Sequence, residues 1–259
     1  HRDLHSFPTR RSSDLIISDL HSNIEALQAV YDDIDRLGIK EIYCLGDIVG
    51  YGPDPVKCLQ MVQERCKIVI TGNHDRAVYD LESCESFNKR AANAIKWTTE
   101  QLSTVPGAID YLKNLPEMTE IDGIMCVHAS PLDPIREYVT PQYALEKNRL
   151  KVLFEKVTNF CFVGHTHIPG VFTDKLTFNP PERLFSNLYM LDPGFEKAII
   201  NVGSVGQPRD SKVDACYVTF DGDSVVFRRV PYDKEKTRGK IIEIPALDDF
   251  LGNRLLAGR

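Results

Sequence analysis

Apolar residues along the chain fall into short runs, and most of these runs stop abruptly at a polar cluster. Leu15-Ile16-Ile17 leads into Ser18-Asp19-Leu20-His21. Ile24, Leu27, Tyr31, Ile34 and Leu37 then recur at three- and four-residue steps, one face of a helix. Ser22 or Asn23 can cap that helix, and Gly38 marks its end. Residues 41–45 predict a strand that stops at Gly46-Asp47. The Asp54-Pro55 turn opens a second helix through Val56, Leu59 and Val62, and residues 67–70 predict a strand running into Gly72-Asn73-His74-Asp75. This β–α–β–α–β order predicts a parallel sheet with helices on its faces. Such sheets place ligand sites beyond the carboxyl ends of their strands, where each polar cluster falls.

Further along, helices are expected over roughly 87–102 and 106–115. Residues 120–121 and 124–127 flank Asp122-Gly123, a hairpin signal, and the second of these strands ends at Val127-His128-Ala129-Ser130. A helix over 141–156 and a strand over 160–163 lead to Gly164-His165-Thr166-His167. Residues 174–196, rich in Pro, Asn, Phe and Tyr, read as an inserted hairpin or loop lying over the site. Strands follow at 197–202, 217–220 and 225–229, and the tail from Asp233 is a helix broken at Pro245. The later strands predict a second sheet packed on the first. The expected α/β architecture is an αββα sandwich of two mixed sheets flanked by helices, one domain over 15–259.

Residues 1–14 show no periodicity, resemble translated adapter sequence, and are expected to be a foreign or disordered segment outside the fold. Asp3-Leu4-His5-Ser6 repeats Asp19-Leu20-His21-Ser22 residue for residue. Only the second copy has an apolar run before it and an amphipathic helix after it, so Asp19 and His21 are the candidates.

Composition narrows the function. With 42% hydrophobic and 26% charged residues the chain has the make-up of a soluble globular protein. Its net charge of −6 opposes a general affinity for nucleic acid or acidic membrane, but not for a small phosphorylated substrate whose charge a metal can meet. No apolar run approaches the ~18 residues of a membrane span. Seven scattered cysteines without a CxxC pair read as reduced thiols, so a cytoplasmic protein is expected. Cys44 and Cys161 are taken as packing residues, and Asp32-Asp33-Asp35 as the solvated side of the first helix.

Apart from His1 and His5, every histidine (His21, His74, His128, His165 and His167) lies in a strand-end cluster, interleaved with Asp19, Asp47 and Asn73. One histidine on an apolar face is usually a satisfied core group; five of five at strand ends point to metal ligation. Carboxylate, imidazole and carboxamide without thiolate suit divalent manganese, iron, nickel or zinc. A structural zinc site would close with four ligands, usually thiolate-rich. About seven candidates here are enough for two ions sharing one carboxylate, with Asp47 as the bridge. Gly203-Ser204-Val205-Gly206 offers backbone N–H groups to a phosphate and Arg209 a bidentate contact, with a structural turn as an equal reading.

Asp19-x-His21, Gly46-Asp47, Gly72-Asn73-His74-Asp75, the solitary His128 and Gly164-His165-x-His167, in this order, resemble the five-motif signature of the calcineurin-like metallophosphoesterase superfamily. Gly50-Tyr51-Gly52-Pro53-Asp54-Pro55 and the run from Asn201 to Arg209 are similar to its small prokaryotic phosphodiesterase-like members. The resemblance implies that Asp19, His21 and His167 hold one ion, Asn73, His128 and His165 the other, and Asp47 bridges. It implies that His74 is the general acid at the leaving group and that Asp75 orients its ring. The implied activity is hydrolysis of a phosphodiester or phosphomonoester by in-line attack of a two-metal-activated hydroxide, without a covalent intermediate.

The superfamily's protein serine/threonine phosphatases and symmetrical dinucleoside tetraphosphatases usually carry Asp-Arg-Gly after the Gly-Asp motif. Here Val49-Gly50-Tyr51-Gly52 stands in that stretch, and Asp75 replaces their glutamate. The expectation therefore moves toward a small-molecule phosphodiesterase. A dinucleoside polyphosphate hydrolase and a non-catalytic scaffold on the same fold are the alternatives, and a nuclease is disfavoured by the acidic charge.

Overall fold

The short run at Leu15-Ile16-Ile17 becomes a central strand. The computed structural model of the protein describes residues 14–121, 123–192 and 194–259. Of the expected foreign segment only Asp14 is described, and it belongs to the first strand; the rest lies outside the described residues. β1 (Asp14–Ile17) is buried throughout and leads into α1 (Ile24–Leu37). Asn23 caps α1 by accepting the Ala26 N–H at 3.1 Å, and Gly38 ends it in the left-handed region. β2 (Ile42–Cys44), α2 (Pro55–Arg65) and β3 (Ile68–Val69) follow, and β1, β2 and β3 pair in parallel as their order predicts.

α3 (Asn73–Ala77), α4 (Lys89–Ser103) and α5 (Ala108–Lys113) carry the chain to the hairpin of β4 (Met118–Ile121) and β5 (Ile124–Val127). Asp122 of the hairpin turn is outside the described residues; Gly123 takes a φ of 81°. In place of one helix over 141–156, a 3-10 turn at Pro141–Ala144 precedes α6 (Lys147–Lys156). Tyr143 is buried and the next buried residue is Leu150, so no apolar side chain holds the intervening turn to the core.

The remaining elements are β6 (Phe160–Val163), β7 (Gly170–Thr173), β8 (Thr177–Asn179), β9 (Leu188–Met190), β10 (Ala198–Asn201), β11 (Ala215–Phe220), β12 (Ser224–Val230), α7 (Lys234–Ile242) and α8 (Asp249–Asn253). They complete two six-stranded sheets, ordered β3-β2-β1-β11-β12-β9 and β4-β5-β6-β10-β7-β8. Both are mixed, because β11 runs antiparallel to β1, and β4 and β7 run antiparallel to a parallel β5-β6-β10 group. The αββα sandwich is therefore the observed fold.

Ile16, Tyr43, Leu45 and Val218 from the first sheet meet Cys126, Phe162 and Ile200 from the second between the layers. Leu27, Val30, Tyr31 and Leu59 of α1 and α2 cover the outer face of the first sheet. Leu150, Leu153 and Phe154 of α6 cover that of the second. Residues 174–196, expected over the site, instead supply an edge strand to each sheet, β8 to the second and β9 to the first. Asp33 is also not simply solvated. It accepts from Tyr217 Oη at 2.7 Å and from Arg228 Nε at 3.0 Å, tying α1 to the sheet beneath it.

Ile200 is fully buried between the sheets whereas Phe185 is 91% exposed. Ile200→Ala is expected to lower the unfolding free energy by about 2–5 kcal/mol, and Phe185→Ala by less than about 0.5 kcal/mol, read by urea denaturation. Equal effects would contradict the two-sheet core.

Candidate metal centre

The loops beyond β1, β2, β3, β5 and β6 converge, and each brings a polar cluster. Backbone bonds lace the first two loops together: Asp19 N–H to Gly46 O at 3.0 Å, His21 N–H to Asp47 O at 2.9 Å and Ser22 N–H to Ile48 O at 3.0 Å. Two carboxylates use one oxygen each as a brace. Asp47 Oδ1 accepts the His74 N–H at 2.8 Å, and Asp19 Oδ2 accepts the His165 N–H at 3.0 Å. A Cβ at Gly72 would stand 2.1 Å from Asp47 Oδ1, so only glycine lets the β3–α3 turn come this close.

The other carboxylate oxygens face inward among ring nitrogens. His128 Nδ1 lies 2.8 Å from Leu45 O, His167 Nδ1 2.6 Å from Gln207 O, His21 Nδ1 3.3 Å from Val49 O and His165 Nε2 3.2 Å from Arg136 O. A carbonyl only accepts, so whenever these rings are neutral the outward nitrogen carries the proton and the inward one a lone pair. Those inward atoms crowd together: His21 Nε2 and His167 Nε2 are 3.0 Å apart, and His128 Nε2 and His165 Nδ1 3.2 Å. Asn73 Oδ1 is 3.1 Å from His128 Nε2. Asp19 Oδ1 is 3.1 Å from His167 Nε2 and has no hydrogen-bond donor among the described residues. Facing lone pairs at these distances repel unless cations lie among them.

Donor atoms fall into sets that can each hold an ion: Asp19, His21 and His167; His21, Asp47 and His74; and Asp47, His128 and His165. Asp47 Oδ2 lies 3.6 Å from His21 Nε2 and 3.4 Å from His128 Nε2, between the outer sets. The residues present thus fit divalent ions, and every one of these side chains is buried.

The charge pattern agrees. Burial would raise the Asp19 and Asp47 carboxyls, but His167 beside the first and His128 beside the second outweigh it and hold both well below the usual carboxylate range. Burial pushes His21 and His167 down, and His165 down to about 3. His128 alone goes the other way, to about 9, because the Asp47 carboxylate overcomes its burial. The candidate ligands are therefore charged carboxylates and mostly neutral imidazoles, the protonation states that metals need.

All seven expected ligands come together. His74 lies beside them, its ring centroid 4.3 Å from that of Tyr51 and 4.8 Å from that of Phe87, and its buried Nδ1 has no hydrogen-bond partner among the described residues. Asp75 does not orient that ring. Its Oδ1 accepts the Val49 N–H at 3.2 Å and its Oδ2 the Gly72 N–H at 3.0 Å, so it braces two loops. Burial, with Asp47 nearby, pushes its carboxyl up to about 7. The Gly203–Gly206 loop is the structural turn. Its amides at Val205 and Gly206 donate to Ser18 O and Asp19 O at 3.0 and 2.9 Å and are not free for phosphate. Arg209 stays a substrate candidate: its Nη2 donates to Gln207 Oε1 at 2.8 Å, its Nε is buried and unpartnered among the described residues, and its guanidinium carbon lies 5.8 Å from the Tyr51 ring centroid.

Some contributors went unassigned from sequence. Asn201 Nδ2 donates to Gly164 O at 2.6 Å and to Thr166 Oγ1 at 2.9 Å, holding the His165/His167 loop. Arg136 and Tyr138 reach the site on a loop after β5, for which the Ser130-Pro131-Leu132-Asp133-Pro134 turn signal was the available clue.

Residues 14–224 match the family model of the calcineurin-like phosphoesterase superfamily domain. The uncharacterized protein MJ0912 of Methanocaldococcus jannaschii is 39% identical over 254 residues, covering 94% of this chain and 97% of that protein. A metallophosphoesterase from Sphaerobacter thermophilus superposes with a TM-score of 0.82 at 36% identity, over 96% of this chain and all of that one. The hypothetical protein PH1004 from Pyrococcus horikoshii OT3 shares the fold at 19% identity, with a TM-score of 0.72 over 95% of this chain and 98% of that one.

Gly72→Ala tests the packing of the centre. The added methyl displaces Asp47, and affinity for divalent metal, measured by equilibrium dialysis with atomic emission, is expected to fall at least about tenfold relative to wild type. Unchanged affinity would show that Asp47 holds no ion.

Proposed function

The chain belongs to the calcineurin-like phosphoesterase superfamily, and on that footing we propose that it hydrolyses small phosphoesters, phosphodiesters foremost, with two divalent ions. One observation carries the reading: Asp47 Oδ2 stands between two sets of inward donor atoms. Asp19, His21 and His167 would hold one ion, Asn73, His128 and His165 the other, and Asp47 both. Bound there, such ions activate water and offset charge on the phosphoryl oxygens.

The chain's own residues do the rest. His74 lines the cavity in front of the ligands. With Nδ1 buried against Gly50 and unpartnered among the described residues, the ring would give its proton to a departing oxygen from the other nitrogen, Nε2. Burial, reinforced by the Arg209 charge, lowers this imidazole to about 4. An anionic ester beside the ring acts in the opposite sense and favours the protonated form while substrate is bound. Arg209 adds a fixed positive charge at the same edge. A scaffold protein would have no use for a complete donor set with an unpartnered imidazole next to it.

Protein stripped with a chelator is expected to lose hydrolysis of bis(p-nitrophenyl) phosphate and to recover it with manganese, nickel or zinc, whereas Asp47→Asn does not recover. Full activity in chelator would overturn the reading. The role of His74 has its own signature. His74→Asn is expected to slow esters with alkoxide leaving groups by roughly 100-fold or more. It should slow p-nitrophenyl esters far less, because p-nitrophenolate departs without a proton. Equal losses on both would remove His74 as the acid.

A further inference from the structure

The cavity before the metal centre has two ring-lined walls. Tyr51, His74 and Phe87 form one series, with neighbouring centroids 4.3 and 4.8 Å apart. On the other wall Tyr138 covers His165 at 3.9 Å, with Ile135 beside it in the cavity lining. Both walls border one space of about 230 Å³, which also reaches Arg76 and Arg136.

We propose that this space takes the planar base of a nucleotide, so that the ester turned over at the metal centre is a nucleoside phosphodiester. The inference rests on the phosphoesterase reading and adds the substrate class to it. Tyr138 is 52% exposed although it is a large aromatic residue, so one face of its ring packs on His165 and much of the rest is open. A ring held this way is a stacking platform for any base.

The platform is rigid. Ser130 Oγ accepts the Leu132 and Asp133 N–H groups at 3.1 and 3.0 Å, and Asp133 Oδ1 accepts those of Ile135 and Arg136 at 3.1 and 3.0 Å. The same loop is tied to the centre where the Arg136 carbonyl meets His165 Nε2 at 3.2 Å. Opposite, Phe87 precedes Asn88, whose Oδ1 caps α4 through the Ala91 N–H at 3.0 Å. Walls set before binding cost little ordering entropy when a ring enters.

Charge and size narrow the occupant. Arg76 is committed to Asp80 at 3.4 Å and Glu117 at 2.5 Å. Arg136 has no carboxylate partner among the described residues, so it is available to an anionic ester. The space is smaller than the roughly 300–1,000 Å³ of pockets for drug-sized ligands. It therefore suits one ring system next to a phosphate at the metals, and not both halves of a dinucleotide.

The test is equilibrium binding of adenosine 5′-monophosphate and of inorganic phosphate to manganese-loaded protein, by calorimetry. Wild type is expected to bind the nucleotide at least about tenfold more tightly than phosphate. Tyr138→Leu and Phe87→Leu, which keep bulk but remove the ring, should each cut nucleotide affinity about tenfold and leave phosphate affinity unchanged. Equal wild-type affinities, or variants that weaken both ligands alike, would overturn the proposal. The parent reading fails separately: a protein that discriminates the two ligands but hydrolyses no ester with any metal keeps the base site and loses the hydrolase. A hydrolase without discrimination keeps the activity and loses the base site.

Discussion

Everything near the centre depends on holding electron-rich atoms against one another in a buried place. Two imidazole lone pairs 3.0 Å apart, with a carboxylate oxygen 3.1 Å from one of them, do not stay there unaided. The fold restrains each ring from behind: Val49, Leu45, Arg136 and Gln207 each offer a carbonyl to a ring N–H. Those carbonyls set the tautomer as well as the position. The atoms that would meet a metal are thus specified by main chain more than by neighbouring side chains.

The backbone bears the strain of this arrangement. Asp19, His21, Ser22, Asp47, Tyr51, His165 and His167 all have positive φ, between 47° and 63°. Left-handed non-glycine residues cost of order 1–3 kcal/mol each. Aspartate and histidine tolerate the region better than most residues, which keeps the cost toward the lower end. What over-determines the geometry is the cross-loop ladder. The Asp19, His21 and Ser22 amides bond to the Gly46 to Ile48 loop, and the Val205 and Gly206 amides close the far side. Asp75, expected at the His74 ring, belongs to the same bracing.

The convergence of the candidate ligands is legible in the sequence because each has a local signature, a polar residue where an apolar strand stops, and parallel strands deliver such positions to one place. The sandwich was legible for a similar reason, since periodicity marks the elements and β–α–β order fixes the handedness of their connections. Choices of partner were not. Asp75 bonds to an amide 26 residues away in sequence, and Asp33 to an arginine 195 away, with nothing local to announce either. The same holds for 174–196, whose strands are defined only by the sheet edges they join. Tyr138 reads as an ordinary loop residue until the turn at Ser130–Pro134 folds it over His165.

The link from the His165 amide to Asp19 spans 146 residues of chain. An ion gripped by Asp19 and by the loop of His165 and His167 would therefore close a loop of more than half the chain. Closing a loop of that size removes several kcal/mol of entropy from the unfolded chain. A scattered set of ligands also has no affinity to offer before the two sheets meet. Metal capture would thus follow the meeting of the two sheets. Ions bound at the proposed centre would then hold the folded chain closed, so that stability would rise with metal concentration.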